Sequence, residues 1–302
     1  MISWLLVIVV AYFFFALSAF GDKVILAGPP NPKSYTFYVG LLGILAVLAI
    51  PFVGLAVPSS SLFFWIALDA IVFALGIYFG FSAVENFEVS KVAVTIGATQ
   101  PIFIFFISWI FFGYQGLGFL SFLAFALLFL GSVIISFDKK IELDRRYFKF
   151  TLFASLLYSF DYVLSKLIYT DISFAHGFIW RCIFIFIAVL FMLLWKSNRK
   201  EIFKKQGSKA SREKLKKIFL ATQACGGAAS ILQSFAISLA PIAFLPIANS
   251  MRGLQYVFLF VITVFISYFF PRILKEKISG RIVLRKTFSM ILILAGLALL
   301  VF

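Results

Sequence analysis

The sequence predicts an all-α membrane protein with ten transmembrane helices in two inverted five-helix repeats. Three observations lead there: the composition, ten apolar runs of spanning length, and a one-sided distribution of positive charge. Of the 302 residues, 63% are hydrophobic, 13% are charged and 42 are Phe, and mean hydropathy is +1.08. Soluble domains hold about 45–50% apolar and about 25% charged residues, so most of this chain's surface must meet lipid. That excludes a soluble enzyme, a secreted disulfide scaffold and a disordered chain. The formal net charge is +15. The bases lie in short blocks between apolar runs, which is the pattern of loops on one membrane face and not of a nucleic-acid surface.

A helix needs about 20 apolar residues to cross a bilayer. The runs fall at 2–21, 34–57, 62–84, 91–113, 117–137, 147–169, 173–195, 218–240, 242–270 and 283–302. Pro29, Pro30 and Pro32 follow the first run, and Pro58 with Ser59, Ser60 and Ser61 follows the second. Gly113, Gly116 and Gly118 part the fourth from the fifth, and Pro241 and Pro246 mark the turn between eighth and ninth. Such residues punctuate chains because they break regular hydrogen bonding. None of the runs alternates polar with apolar residues, as barrel strands do. Two joins are long and polar. Residues 138–149 divide the chain nearly in half, and residues 196–217 carry ten Lys and Arg with two Glu. The second reads as an amphipathic or flexible stretch against anionic headgroups.

Of the 27 Lys and Arg, 24 lie in joins that follow odd-numbered helices, counting Lys91, Lys149, Arg285 and Lys286 at the run edges with the joins they flank, and the other three, Lys166, Arg181 and Arg252, lie deeper within runs. The positive-inside rule therefore predicts a multi-pass protein of the cell (plasma or inner) membrane, with 138–149 and 196–217 cytoplasmic and both termini outside. The opening MISWLLVIVV has no positive n-region and reads as the first retained span. Cys182 and Cys225 sit in apolar runs as small hydrophobes, and nothing requires a disulfide between them.

The halves resemble each other. Residues 18–37 parallel 161–180, with Lys23 opposite Lys166 and Phe37 opposite Trp180, and residues 100–108 parallel 255–263. Five helices per half is an odd number, so the second half inserts upside down. Inverted repeats of this kind hold a site near the membrane midplane. Further patterns carry a family resemblance. Residues 81–113, with Pro101, resemble the third-to-fourth helix segment of the ten-helix EamA-like members of the drug/metabolite transporter (DMT) superfamily. Residues 121–136 resemble the fifth helix of that family. Arg181 fits an Arg often found early in the second helix of each unit, and Glu276 fits the Glu-x-x-Ser that often follows the fourth. The first half has Tyr114 where that Glu is usual, and Val39 or Gly40 where the Arg is usual. The resemblance implies an EamA-like five-helix repeat in 1–137 and another in 147–302. It also implies a cavity lined by helices 1, 3, 4, 6, 8 and 9, around which the repeats rock. Such proteins generally keep both termini in the cytoplasm, whereas the charge pattern here puts them outside.

Charged groups in a bilayer are costly and mark function by default. Asp161 and Arg252 are the deepest, about 15–18 Å from the nearer turn at 1.5 Å per residue. Asp69 lies two turns from a helix end and reads either as a protonated, inert residue or as a cavity carboxylate. Arg181 reads as part of a structural ion pair, with Asp161 as one partner across helices. Lys166 reads as snorkelling to the outer surface. Tyr158 and Tyr162, one turn apart, and Trp65, four before Asp69, could stack on an amphipathic substrate. Among 42 Phe, aromatic stripes otherwise read as lipid-facing packing. Gln100, Gln223, Gln233, Asn249 and Gln255 are neutral polar groups that bond between helices or line the site, with Gln100 and Asn249 assigned to substrate. Gly76 and Gly80 form a G-x-x-x-G suited to close helix contact.

No Walker loop is present, and the lone His176 cannot build a metal cluster. The chain reads as no enzyme and as needing no cofactor or metal. The expected function is secondary transport of small organic metabolites, amino acids or related compounds, by alternating access and in the efflux direction. The coupling is proton exchange through Asp69 or Asp161, or the flux is facilitated. A nucleotide-sugar or lipid-head-group carrier of the same superfamily is the alternative, using Arg181, Arg252 and Lys166 for phosphate; a membrane-embedded enzyme, for which no paired catalytic motif is present, or a non-transporting scaffold is the third. The partners are substrate and lipid bilayer, not nucleic acid, in a monomer or homodimer.

Overall fold

The computed structural model describes residues 3–25, 32–87, 89–113, 116–136, 145–203, 209–269 and 280–301. Among these residues there is no strand. The helices are α1 (Ser3–Ile25), α2 (Pro32–Val53), α3 (Ser60–Asn86), α4 (Val89–Phe112), α5 (Phe119–Ser136), α6 (Arg145–Asp171), α7 (Phe174–Leu194), α8 (Lys209–Leu239), α9 (Ile242–Phe269) and α10 (Gly280–Val301). Eight of them, all but α5 and α8, are long and apolar enough to cross a membrane. The chain is a multi-pass membrane protein. α5 is apolar but only 18 residues long, and the apolar part of α8 is diluted by Gln223, Gln233, Gly226 and Gly227.

Local chemistry sets the ends. Ser59 caps α3, its hydroxyl accepting the Leu62 N–H at 3.3 Å, which satisfies one of the orphan donors of a helix start. Gly54 (φ 73°) ends α2 and Gly113 (φ 75°) ends α4, in a left-handed conformation that glycine adopts without steric cost. α2 tightens to a 3-10 helix over Ile44–Ala49 and stops at Val53, short of the predicted residue 57. α8 starts at Lys209, ahead of the predicted 218, so the end of the basic segment continues the helix. A short helix, Lys196–Ile202, begins that segment, and Lys33 Nζ donates to its Glu201 Oε1 at 2.9 Å. The described parts of the segment are thus largely helical. Residues 137–144, 204–208 and 270–279, with Glu276 of the Glu-x-x-Ser, lie outside the described residues.

The chain divides into two compact units. One holds α1, α5, α8, α9 and α10, and the other holds α2, α3, α4, α6 and α7. Each unit draws helices from both sequence halves. In the first, α1 packs along α8 and α9, and α5 along α10 and α9. In the second, α6 packs along α3 and α4, and α2 and α7 pack on each other and on α3. Small residues allow the approaches, as they must where lipid supplies no hydrophobic drive between helices. A Cβ on Gly21 would collide with Thr222 on α8, and one on Gly131 would lie 2.7 Å from Ile293 on α10.

Candidate functional site

In the second unit, three of the candidate charges form one cluster. Asp69 comes from α3, Asp161 from α6 and Arg181 from α7. The Arg181 Nε donates to Asp69 Oδ2 and its Nη2 to Asp161 Oδ1. Asp69 is fully buried, while the Asp161 side chain is 15% exposed. The guanidinium carbon also lies 5.1 Å from the Phe73 ring centroid. One cation thus sits between two carboxylates, and Asp69 Oδ1 is buried with no hydrogen-bond partner.

The other candidates of this unit surround the cluster less directly. Tyr158 lies over both glycines of the G-x-x-x-G: a Cβ on Gly76 would be 3.2 Å from Tyr158 Cδ1, and one on Gly80 would meet the Tyr158 hydroxyl. Its ring is thus a packing piece between α6 and α3. Gln100 is buried and its Oε1 lacks a partner. Its backbone carbonyl accepts the Ser159 hydroxyl at 3.1 Å, beside Pro101, which withholds an N–H from the α4 ladder. Trp65 packs against Phe64 and Phe111 at 5.3 and 5.7 Å between ring centroids. Tyr162 is buried. Lys166, expected to reach the surface, is 7% exposed. Tyr162, Val163, Leu164 and Ser165 are buried as well, whereas Thr170, one turn further along α6, is exposed.

In the first unit, the polar residues gather at a break in α9. The span predicted as one continuous helix is helical over Leu245–Ser250, turns at Met251 and Arg252, and resumes at Gly253. The Arg252 N–H donates to the Asn249 carbonyl at 3.0 Å, and the Leu254 N–H to Met251 at 2.9 Å. Each reaches back three residues instead of four, which frees the Ala248 and Ser250 carbonyls. Tyr12 on α1 donates its hydroxyl to Ala248 O at 3.0 Å, and Ser132 on α5 donates to Ser250 O at 2.7 Å. Both orphaned acceptors are satisfied, as burial demands. Gly253 is required here, because a Cβ would collide with the Ser132 hydroxyl and lie 2.8 Å from Ile293.

Arg252 emerges at this break, half-buried. Its guanidinium and the Gln233 amide from α8 lie beside the Tyr12 hydroxyl. Among the described residues no carboxylate pairs with it. Asn249 is 1% exposed, and neither atom of its side-chain amide has a partner. Sequence reasoning found Arg252 and Asn249 but not Tyr12, Ser132 or the break. Tyr12 sits in the run AYFFF, where nothing separates it from lipid-facing aromatics.

The two sites differ chemically. The triad has its charge answered from within, whereas the α9 break presents an unanswered positive fork beside neutral polar groups. No set of three or more metal-ligating side chains occurs among the described residues. No protein-family model and no curated protein matches the sequence. A solved structure described only as "Crystal structure of protein" is similar in fold over 98% of this chain and 96% of that one, with a TM-score of 0.66 and 17% identity. At that identity the likeness speaks for the fold alone.

Proposed function

We propose that the chain is a secondary transporter of the EamA-like type in the cell membrane. It moves small organic metabolites by alternating access through ten spans arranged as inverted repeats. One observation carries this reading. Under the inverted-repeat correspondence, α1, α8 and α9 match α6, α3 and α4, and these are the helices that pack together within each unit. Polar side chains that are buried or half-buried lie on the same helices, Tyr12, Gln233, Asn249 and Arg252 in one unit and Asp161, Asp69 and Gln100 in the other, with Arg181 joining the second set from α7. Transporters keep polar groups and broken helices at mid-membrane because the cargo needs them. A scaffold has no use for orphaned polar atoms in lipid, where each carries a cost.

The charge bias supports both termini outside and residues 138–149 and 196–217 in the cytoplasm. Single cysteines at Ile2 and Ser208, labelled with an impermeant maleimide in intact cells, should react at 2 and not at 208. The function itself is tested in proteoliposomes of purified protein loaded with labelled amino acids or nucleotide sugars. Counterflow of amino acids is the expected result. Counterflow of nucleotide sugars alone would move the chain to the other carrier class, and none with either would remove the transport reading.

A further inference from the structure

We infer that the break in α9 is a binding site for a carboxylate, with Arg252 as its fork and Asn249 as its second contact. This rests on the transport reading and names the chemical class of its cargo. The argument begins with what the break no longer offers. A broken membrane helix can bind a cation through freed carbonyls or an anion through donors. Here the freed carbonyls of Ala248 and Ser250 are already occupied by the hydroxyls of Tyr12 and Ser132. Neither freed carbonyl is left bare to face a cation, and the Arg252 charge beside them opposes one.

What remains is positive and donating. Arg252 has no acidic partner among the described residues, whereas Arg181 has two. The Tyr12 proton is directed at the Ala248 carbonyl, so toward Arg252 the phenol oxygen presents lone pairs. It holds the guanidinium in place without neutralising it. Asn249, three residues earlier, adds an amide that is buried with both atoms unpartnered. A carboxylate takes two parallel bonds from a guanidinium and can accept a third from an amide. A phosphate ester at neutral pH carries nearly two charges, and among the described residues Arg252 is the one base at the break: Lys286 of α10 sits over the Phe260 ring, eight residues further along α9. One fork with one amide therefore fits a monoanionic carboxylate better than a phosphate.

The test uses the full chain in detergent, with thermal unfolding as readout and matched probes: L-leucine against L-leucinamide, L-phenylalanine against L-phenylalaninamide, and phenyl phosphate. The carboxylates should stabilise the protein and the amides should not. Arg252→Lys should weaken carboxylate binding about tenfold, because the point charge lacks the fork. Asn249→Asp supplies an acid in cis; it should leave the fold at least as stable and abolish the response to carboxylates. Equal stabilisation by amide and acid, no stabilisation by any carboxylate, a preference for phenyl phosphate, or an undiminished response in Asn249→Asp would each overturn the site. The failures are separable. Carboxylates that bind through Arg252 but do not cross proteoliposomes would refute transport and leave the site standing. Counterflow that is indifferent to Arg252→Lys and Asn249→Asp would refute the site and leave transport standing.

Discussion

Arg181 and Arg252 both lie within apolar spans, one in each compact unit, and their surroundings are opposite. Arg181 is buried between Asp69 and Asp161 with a phenyl ring beside it. Arg252 is half-buried at a helix break beside the Tyr12 hydroxyl and has no carboxylate partner among the described residues. Insertion scales put a lone Arg at mid-membrane about 2.5–3.5 kcal/mol uphill. The second unit offsets that cost with acids of its own, and those acids tie α3, α6 and α7 together. The first unit leaves it standing. An ion cluster that is complete within the protein acts as a clamp, whereas a charge left incomplete is free to be completed by something that comes and goes.

The largest effect should come from breaking the clamp. Removing one partner of a buried ion pair leaves an uncompensated charge and costs about 3–5 kcal/mol. Arg181→Ala and Asp69→Ala should each lose stability on that scale in chemical unfolding in detergent. Asp161→Ala should lose less, because its carboxylate is 15% exposed and the Asp69 one is fully buried. Replacing all three residues with Met or Leu should restore much of the loss, since an apolar set leaves no orphan. A triple variant no better than Asp69→Ala would mean that the cluster is not a self-contained unit.

Next in size is the backbone of the break. Gly253→Ala puts a methyl group against Ser132 and Ile293; overpacking of this kind costs about 1–3 kcal/mol. Tyr12→Phe removes the proton that satisfies Ala248 O, and interhelical hydrogen bonds in membranes contribute about 0.6–1.7 kcal/mol. Tyr12→Phe should also reduce any response to carboxylate ligands, because it frees Arg252 to swing. A Tyr12→Phe protein with unchanged stability and unchanged ligand response would detach Tyr12 from both roles.

The legibility of the two regions differs for a physical reason. The spans, the joins at Pro58 and Gly113, and the pairing of Arg181 with Asp161 follow from hydropathy, turn chemistry and charge, which are written in single residues. The α9 break is not written that way. Pro246 and Gly253 are ordinary in membrane helices, and what stabilises the turn between them are hydroxyls 236 and 118 residues distant in the chain. Tyr12 and Ser132 acquire their roles only when α1 and α5 are packed on α9. The same is true of Lys166: its end-of-helix position indicates snorkelling, and only the packing around α6 shows how far its side chain is buried.

The smallest stability effect should be the most telling. Arg252→Gln removes a charge with no acidic partner among the described residues, so it should leave no orphaned carboxylate behind, and the amide should still reach the Tyr12 oxygen. The change should alter unfolding stability by less than about 1 kcal/mol in either direction, the range of substitutions that break no buried network. Arg181→Gln, chemically the same substitution, strands two carboxylates and should cost several times more. The difference between these two variants, measured in the same detergent without ligand, isolates the contrast between the units. Should Arg252→Gln prove as costly as Arg181→Gln, Arg252 must be answering a protein carboxylate after all. The two arginines would then be alike, and the charge at the α9 break would be structural and not a place for cargo.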